Sequence, residues 1–241
     1  MDVIADCTVD RFLDGRIVAA QPKSGFRAGH DTVLLAAAVP AGRKVLELGS
    51  GVGITSLCYA HRVPQAEVQG IEIDPELVAI ARDNAARNGF TERVRFLVGD
   101  AAALPEPAVR FDQVFFNPPF HPAFGTPSPV GTRDEAKRDT GTVLTQFVAA
   151  ALRNVQPGAT ITAILRRDRV DDLLAAANCS AVVFPLYPRV GIEPKRAIVQ
   201  IAAGVPGPVN HAAGLVLHES GGGPTPEAEA ILRGRQKIRI I

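Results

Sequence analysis

The residues of this chain best suited to chemistry stand together at Asn117-Pro118-Pro119-Phe120. They follow Phe111-Asp112-Gln113-Val114-Phe115-Phe116, an apolar run that reads as a strand buried on both faces. Two successive prolines have no N–H to give a sheet ladder. The chain must therefore leave the sheet here, at the carboxyl edge where open α/β sheets hold their ligands. An amine conjugated to a ring or a carbonyl is planar and a poor nucleophile. The Asn117 side-chain oxygen and the Pro118 carbonyl could each accept one of its hydrogens and favour a more tetrahedral nitrogen. The same acceptors would stabilise the positive charge that develops on it. Phe120 offers a face on which a flat substrate can stack. An Asn-Pro turn that merely ends a strand is the bland alternative, so the decision rests on whether the chain also carries a donor site.

Three further strand ends supply one. Lys44-Val45-Leu46-Glu47-Leu48 runs into Gly49-Ser50-Gly51-Val52-Gly53 and then an amphipathic helix to about His61. Strand, glycine loop and helix make a nucleotide-type loop in which backbone can approach a ligand. The spacing departs from G-x-G-x-x-G, because Ile54 occupies the place of the last glycine. Glu47 would repel a pyrophosphate and suits a ligand that carries an ammonium group. The next strand, Val68 to Asp74, holds Glu72, 21 residues past Gly51 (72 − 51), where a carboxylate accepts from ribose hydroxyls. Asp74-Pro75 then opens a helix, with Asp74 as its cap, and Asn88-Gly89 ends it. The strand Val94 to Val98 ends at Gly99-Asp100-Ala101, where Asp100 can accept from an adenine amino group and Ala101 can offer its N–H. Four successive strands thus bring ligand-type residues to their carboxyl ends.

The elements around them are more ordinary. Asp14-Gly15 between apolar runs predicts a hairpin in residues 1–24. Asp31 is placed to cap a helix through Ala38. Residues 121–141, rich in Pro and Gly with a charged run Arg133 to Arg138, read as a long loop and a candidate substrate lid. His121 within it reads as ordinary loop. Helices are expected over Thr142 to Val155 and Val170 to Ala177, with strands at Ala159 to Leu165, Ala181 to Tyr187 and Ala197 to Ile201. Beyond Gly204 lies a Gly- and Pro-rich tail with a short helix, Pro226 to Leu232, and a basic end, Arg233 to Arg239. The expected organisation is one domain: a hairpin extension over 1–24, a catalytic core over 25–203 and an extension over 204–241.

Composition excludes several classes. At 241 residues with 46% hydrophobic and 21% charged residues, the chain can build a sizeable core and reads as soluble. Cys7, Cys58 and Cys179 are far apart, which leaves no disulfide framework or paired-cysteine zinc site and fits a reducing cytoplasm. No membrane span or metal is expected. The net charge of +1 is unevenly spread: residues 1–150 carry 15 Lys+Arg against 18 Asp+Glu (−3), and residues 151–241 carry 11 against 7 (+4). Nucleic-acid contacts would come from local clusters such as Arg166 to Arg169 and Arg189 to Arg196.

Taken together, Glu47-Leu48-Gly49-Ser50-Gly51-Val52-Gly53 and Asn117-Pro118-Pro119-Phe120 resemble the cofactor and (N/D)PP(Y/F) motifs of class I S-adenosylmethionine-dependent, amino-directed methyltransferases. The resemblance implies a Rossmann-like α/β fold, a seven-stranded, mostly parallel sheet in the order 3-2-1-4-5-7-6 with helices on both faces. It implies donor contacts from Glu47, Gly49, Ser50, Gly51, Gly53, Glu72 with Ile73, Asp100, Ala101 and Asn117. The catalytic positions would be Asn117, Pro118, Pro119 and Phe120. More narrowly, Arg27-Ala28-Gly29-His30-Asp31-Thr32-Val33-Leu34-Leu35 and Pro194-Lys195-Arg196 are similar to the bacterial tRNA(Val) (adenine-37-N6)-methyltransferase family. That places Arg27, Gly29 and Asp31 near the donor's methionine end, and Phe120, Lys195 and Arg196 on the substrate side. The implied partner is RNA, with tRNA first; a monomer is favoured. The alternatives are guanine-N2 methylation of ribosomal RNA, glutamine-N5 methylation of protein, and an inactive donor- and RNA-binding protein.

Overall fold

The computed structural model describes residues 6–24, 27–118 and 133–240, with the backbone alone over 133–141. Pro119, Phe120, His121 and the rest of the expected lid up to residue 132 lie outside the described residues.

The strands β1 (Cys7–Phe12) and β2 (Ile17–Pro22) form the hairpin that Asp14-Gly15 predicts. Leu13, Asp14 and Gly15 all have positive φ, and the Gly15 amide donates to the Phe12 carbonyl at 3.0 Å. There follow α1 (His30–Ala38), β3 (Lys44–Leu48), α2 (Ile54–Arg62), β4 (Glu67–Glu72), α3 (Pro75–Arg87), β5 (Val94–Val98) and β6 (Phe111–Phe116). The second half holds α4 (Arg133–Asn154), β7 (Val155–Arg166), α5 (Val170–Ala177), β8 (Ala181–Tyr187), β9 (Arg196–Ala202), β10 (Val209–His211), β11 (Leu215–Val216) and α6 (Pro226–Leu232).

The large sheet runs β10-β8-β9-β7-β6-β3-β4-β5, with β11 also paired to β8. Counted from β3 as first, its seven strands through β9 stand in the order 3-2-1-4-5-7-6, and β9 is antiparallel to both neighbours. Alternation along the strands feeds two cores. Val45 and Phe115 face α1, α2, α3 and the hairpin; Leu46, Leu48, Val114 and Phe116 face α4 and α5.

Four elements differ from their sequence-based expectations. Asp31 does not cap α1; Gly29 is the N-cap, and Asp31 lies in the first turn, accepting from Arg196 Nε at 3.0 Å. Helix α4 begins at Arg133, so the charged run belongs to a helix and not to a loop. Its Glu, Ala, Lys and Arg are good helix formers, and the single Gly141 costs only about 1 kcal/mol. Strand β7 begins at Val155 and carries Pro157-Gly158 within it. The tail adds β10 and β11, of three and two residues, too short for their own pattern to show.

Two asparagines one turn apart fasten the hairpin to α3. Fully buried Asn84 accepts from the Ala20 amide at 2.7 Å and donates to the Ala20 and Val52 carbonyls, both at 3.0 Å. Asn88 makes the matching pair with Val18 at 2.9 and 2.8 Å. These side chains serve β2 as a substitute strand partner and reach the glycine loop through Val52. The tail closes the same face: the Ile238 amide donates to Ala37, and Arg233 and Arg235 pair with Asp14 at 2.9 and 3.2 Å. Among the described residues, no helix is long and apolar enough to cross a membrane.

Candidate active site

Parallel pairing puts the expected residues on one edge. Leu48 is level with Ile71 on one side and Phe116 on the other, and Glu72 is level with Val98. The chain leaving β3, β4, β5 and β6 therefore carries Gly49 to Gly53, Ile73, Asp100 and Asn117 out at the same carboxyl edge, the ligand edge of open α/β sheets.

The glycine loop is held by its own backbone. The Gly49 and Ser50 amides both donate to Ile71 O at 2.9 Å, and the Gly53 amide donates to Ser50 O at 2.9 Å. The Gly51 amide turns instead to Glu72, donating to Oε2 at 2.8 Å, while the Asp74 amide donates to Oε1 at 3.1 Å. Each carboxylate oxygen of Glu72 keeps acceptor capacity for a further donor. Gly51 and Gly53 both have positive φ for different reasons of space. A Cβ on Gly51 would meet nothing within 4 Å, whereas one on Gly53 would lie 2.4 Å from Phe96 Cζ. Gly70 is equally constrained, since its Cβ would crowd both Phe96 and Ser50. Phe96 and Gly70 were missed as site-shaping residues because only the packing of β5 under the loop reveals them.

Glu47 departs from the role expected of it. Its side chain is buried, not turned to a ligand ammonium, and Ser56 on α2 donates to it through both its amide, at 3.1 Å, and its hydroxyl. Burial pushes the carboxyl up to about 8, against the opposing hydrogen bonds of Ser56 and Thr55. Burial thus favours the neutral form, and the side chain braces the loop against the first turn of α2.

Asn117 stands at the end of β6 with its Oδ1 buried and without a hydrogen-bond partner among the described residues. A buried amide oxygen left unpaired costs about 1–3 kcal/mol, so its position points to a ligand donor. Pro118 is buried beside it. Beneath both loops lies Phe147 of α4, which packs edge-on against Phe116 with centroids 5.7 Å apart and lies within 3.5 Å of where a Gly49 Cβ would stand. Ser50 Oγ is another buried oxygen without a hydrogen-bond partner among the described residues. Asp100 is exposed and accepts from the Ala102 amide at 2.8 Å; Ala101 is buried; Ile73 stands 46% exposed next to Glu72.

The remaining candidates are brought together less closely. Arg27 gives its guanidinium to Asp10 at 2.6 Å, Thr8 at 2.8 Å and Pro22 O at 2.8 Å, which ties the hairpin to the segment before α1. Gly29 is exposed, with open space where a Cβ would project. Arg196, expected on the substrate side, is engaged by Asp31, while Lys195 is exposed. Among the described residues no group of His, Cys, Asp and Glu is arranged to hold a metal ion.

The model described as a methyltransferase domain matches residues 45–138. The chain is 34% identical over 203 residues to the tRNA1(Val) (adenine(37)-N6)-methyltransferase of Porphyromonas gingivalis, an alignment that covers 78% of this chain and 79% of that relative. The chain belongs to this family. The Yersinia enterocolitica protein of the same name is 36% identical over 148 residues, 59% of this chain and 56% of that relative. Two solved structures share the fold. The predicted O-methyltransferase Atu636 from Agrobacterium tumefaciens superposes with a TM-score of 0.72 at 24% identity, covering 88% of this chain and 100% of that one. TrmN from Thermus thermophilus gives 0.52 at 23% identity, covering 72% of this chain and 48% of that one. The protein is thus a methyltransferase, and its donor is S-adenosylmethionine. The site fits that group: a glycine loop open at Gly51 and, hydrogen-bonded to it, an acid with spare acceptor capacity.

Proposed function

We propose that this protein methylates N6 of adenosine 37 in a tRNA, with tRNA1(Val) the first candidate because its relatives carry that name. The observation that carries the reading is the buried Oδ1 of Asn117 at the end of β6, without a hydrogen-bond partner among the described residues. The bound donor supplies an electrophilic methyl carbon. The chain's residues do the rest. Asn117 Oδ1 and the Pro118 carbonyl accept the two hydrogens of the adenine amine, draw its lone pair out of conjugation, and stabilise the charge that forms on it. A proton then leaves the methylated nitrogen for solvent, so no strong base is needed. Pro119 fixes the exit from the strand, and Phe120 stacks on the base once it is splayed out of the anticodon loop.

On the donor side, Glu72 binds the ribose hydroxyls, Ile73 lies against the adenine, and Asp100 with Ala101 reads the adenine edge. Gly49, Ser50, Gly51 and Gly53 let backbone approach, and Gly29 and Asp31 border the amino-acid end. Glu47 and Arg27 act indirectly, through α2 and the hairpin. The whole chain works as one catalytic unit in the cytoplasm, where tRNA is modified.

Asn117→Ala tests the reading. Loss of one such acceptor is expected to lower kcat on tRNA about 100-fold or more while the donor still binds. Turnover equal to that of the unaltered protein contradicts it.

A further inference from the structure

The connection from β8 to β9 presents an unusual surface. Val190 is 83% exposed and Ile192 50% exposed, in a loop that also carries Arg189, Glu193 and Lys195. Isolated exposed apolar residues need no explanation, but these two are held in place. The Ile192 amide donates to Arg189 O at 3.2 Å, Gly191 between them takes a φ of 75°, and the Arg167 amide anchors Lys195 O at 3.1 Å. The loop is thus a built turn that presents two branched side chains to solvent between two cations. Among the described residues neither Arg189 nor Lys195 has an ion-pair partner, whereas Arg166, Arg169 and Arg196 are each paired with an aspartate.

Its place in the fold gives the turn its meaning. Because β9 is antiparallel, its first residue, Arg196, lies opposite Arg166 and Leu186 at the carboxyl ends of β7 and β8. Phe116, which precedes Asn117, is level with Ala163 of the same β7. The turn therefore rises from the edge that carries Asn117, and two strand spacings, roughly 10 Å, separate β6 from β9. An extruded base leaves neighbours that have lost a stacking partner, and apolar side chains commonly fill such gaps in nucleic-acid complexes.

Resting on the functional reading above, we propose that Val190 and Ile192 form an apolar platform for the nucleotides flanking the target adenosine, with Arg189 and Lys195 on their phosphates. The role expected of Arg196 passes to these neighbours, because Asp31 already engages its guanidinium.

The test compares the full chain with the double variant Val190→Ser/Ile192→Ser and with Arg189→Ala and Lys195→Ala. All are surface changes, so Tm and donor affinity by calorimetry are expected to hold. On tRNA lacking the modification, the double variant should lose about tenfold or more in kcat/KM, and each charge variant should reduce the salt slope of tRNA binding by about 1. Normal kcat/KM and salt slope in every variant, with an active unaltered protein, overturn the platform alone. An unaltered protein that moves no methyl to tRNA overturns the functional reading, and the platform with it.

Discussion

The Gly51 amide donates to Glu72 Oε2 at 2.8 Å, so the loop leaving β3 is latched to the acid that ends β4. One carboxylate thereby sets the loop's shape and, in the proposed donor site, offers the ribose its acceptors. Glu72→Ala removes both functions. Charge-assisted hydrogen bonds of this kind contribute about 1.5–3 kcal/mol each, so loss of one alone should lower donor affinity by calorimetry about 10- to 150-fold. Unchanged affinity would place the ribose elsewhere.

Gly51 and Gly53 should separate binding from folding. Both have positive φ, at 53° and 82°, so alanine at either costs about 1 kcal/mol or more in backbone strain. At Gly53 the new Cβ also strikes buried Phe96, and overpacking adds about 1–3 kcal/mol. At Gly51 it projects into open space, where the donor is proposed to lie. Gly53→Ala should therefore show the larger drop in denaturation midpoint. Gly51→Ala should show the larger loss of donor affinity relative to its change in stability.

Glu47 gives a pH dependence whose sign is fixed. Its carboxyl is raised from 4.5 to about 8 by burial, so the unfolded chain releases this proton at a pH where the folded chain keeps it. Its contribution to stability is then full below about 4.5 and is lost as pH rises through about 8. Denaturant unfolding across that window should show Glu47→Gln, which keeps an acceptor for Ser56, losing less stability with rising pH than the unaltered protein. Parallel pH profiles would mean that Glu47 is ionised in the fold.

Much of the site was legible because its signals are local. Gly49 to Gly53 announces a backbone-lined loop, Glu72 follows at the expected distance, and Asn117-Pro118 stops a buried strand. What the sequence hid depends on partners far away in the chain. Asp31 looks like a cap until Arg196, 165 residues on, is seen to claim it. Glu47 looks like a ligand carboxylate until α2 folds Ser56 over it. The strands at Val209–His211 and Leu215–Val216 exist because β8 offers an edge, not because their own residues alternate.

The same lesson applies to Asn84, whose type suggests a solvated helix position. It is fully buried and serves Ala20 and Val52 together. Asn84→Ala leaves one amide and two carbonyls short of a partner and should cost about 2–4 kcal/mol by denaturant unfolding. A loss below about 1 kcal/mol would mean that the hairpin holds to α3 without it.

The most direct test of the central claim incubates the purified protein with methyl-labelled S-adenosylmethionine and total tRNA from a strain lacking its gene, followed by nucleoside mass spectrometry. N6-methyladenosine is expected in one tRNA species, at the adenosine in position 37. Label on guanosine or on protein, or no transfer despite donor binding, would contradict it.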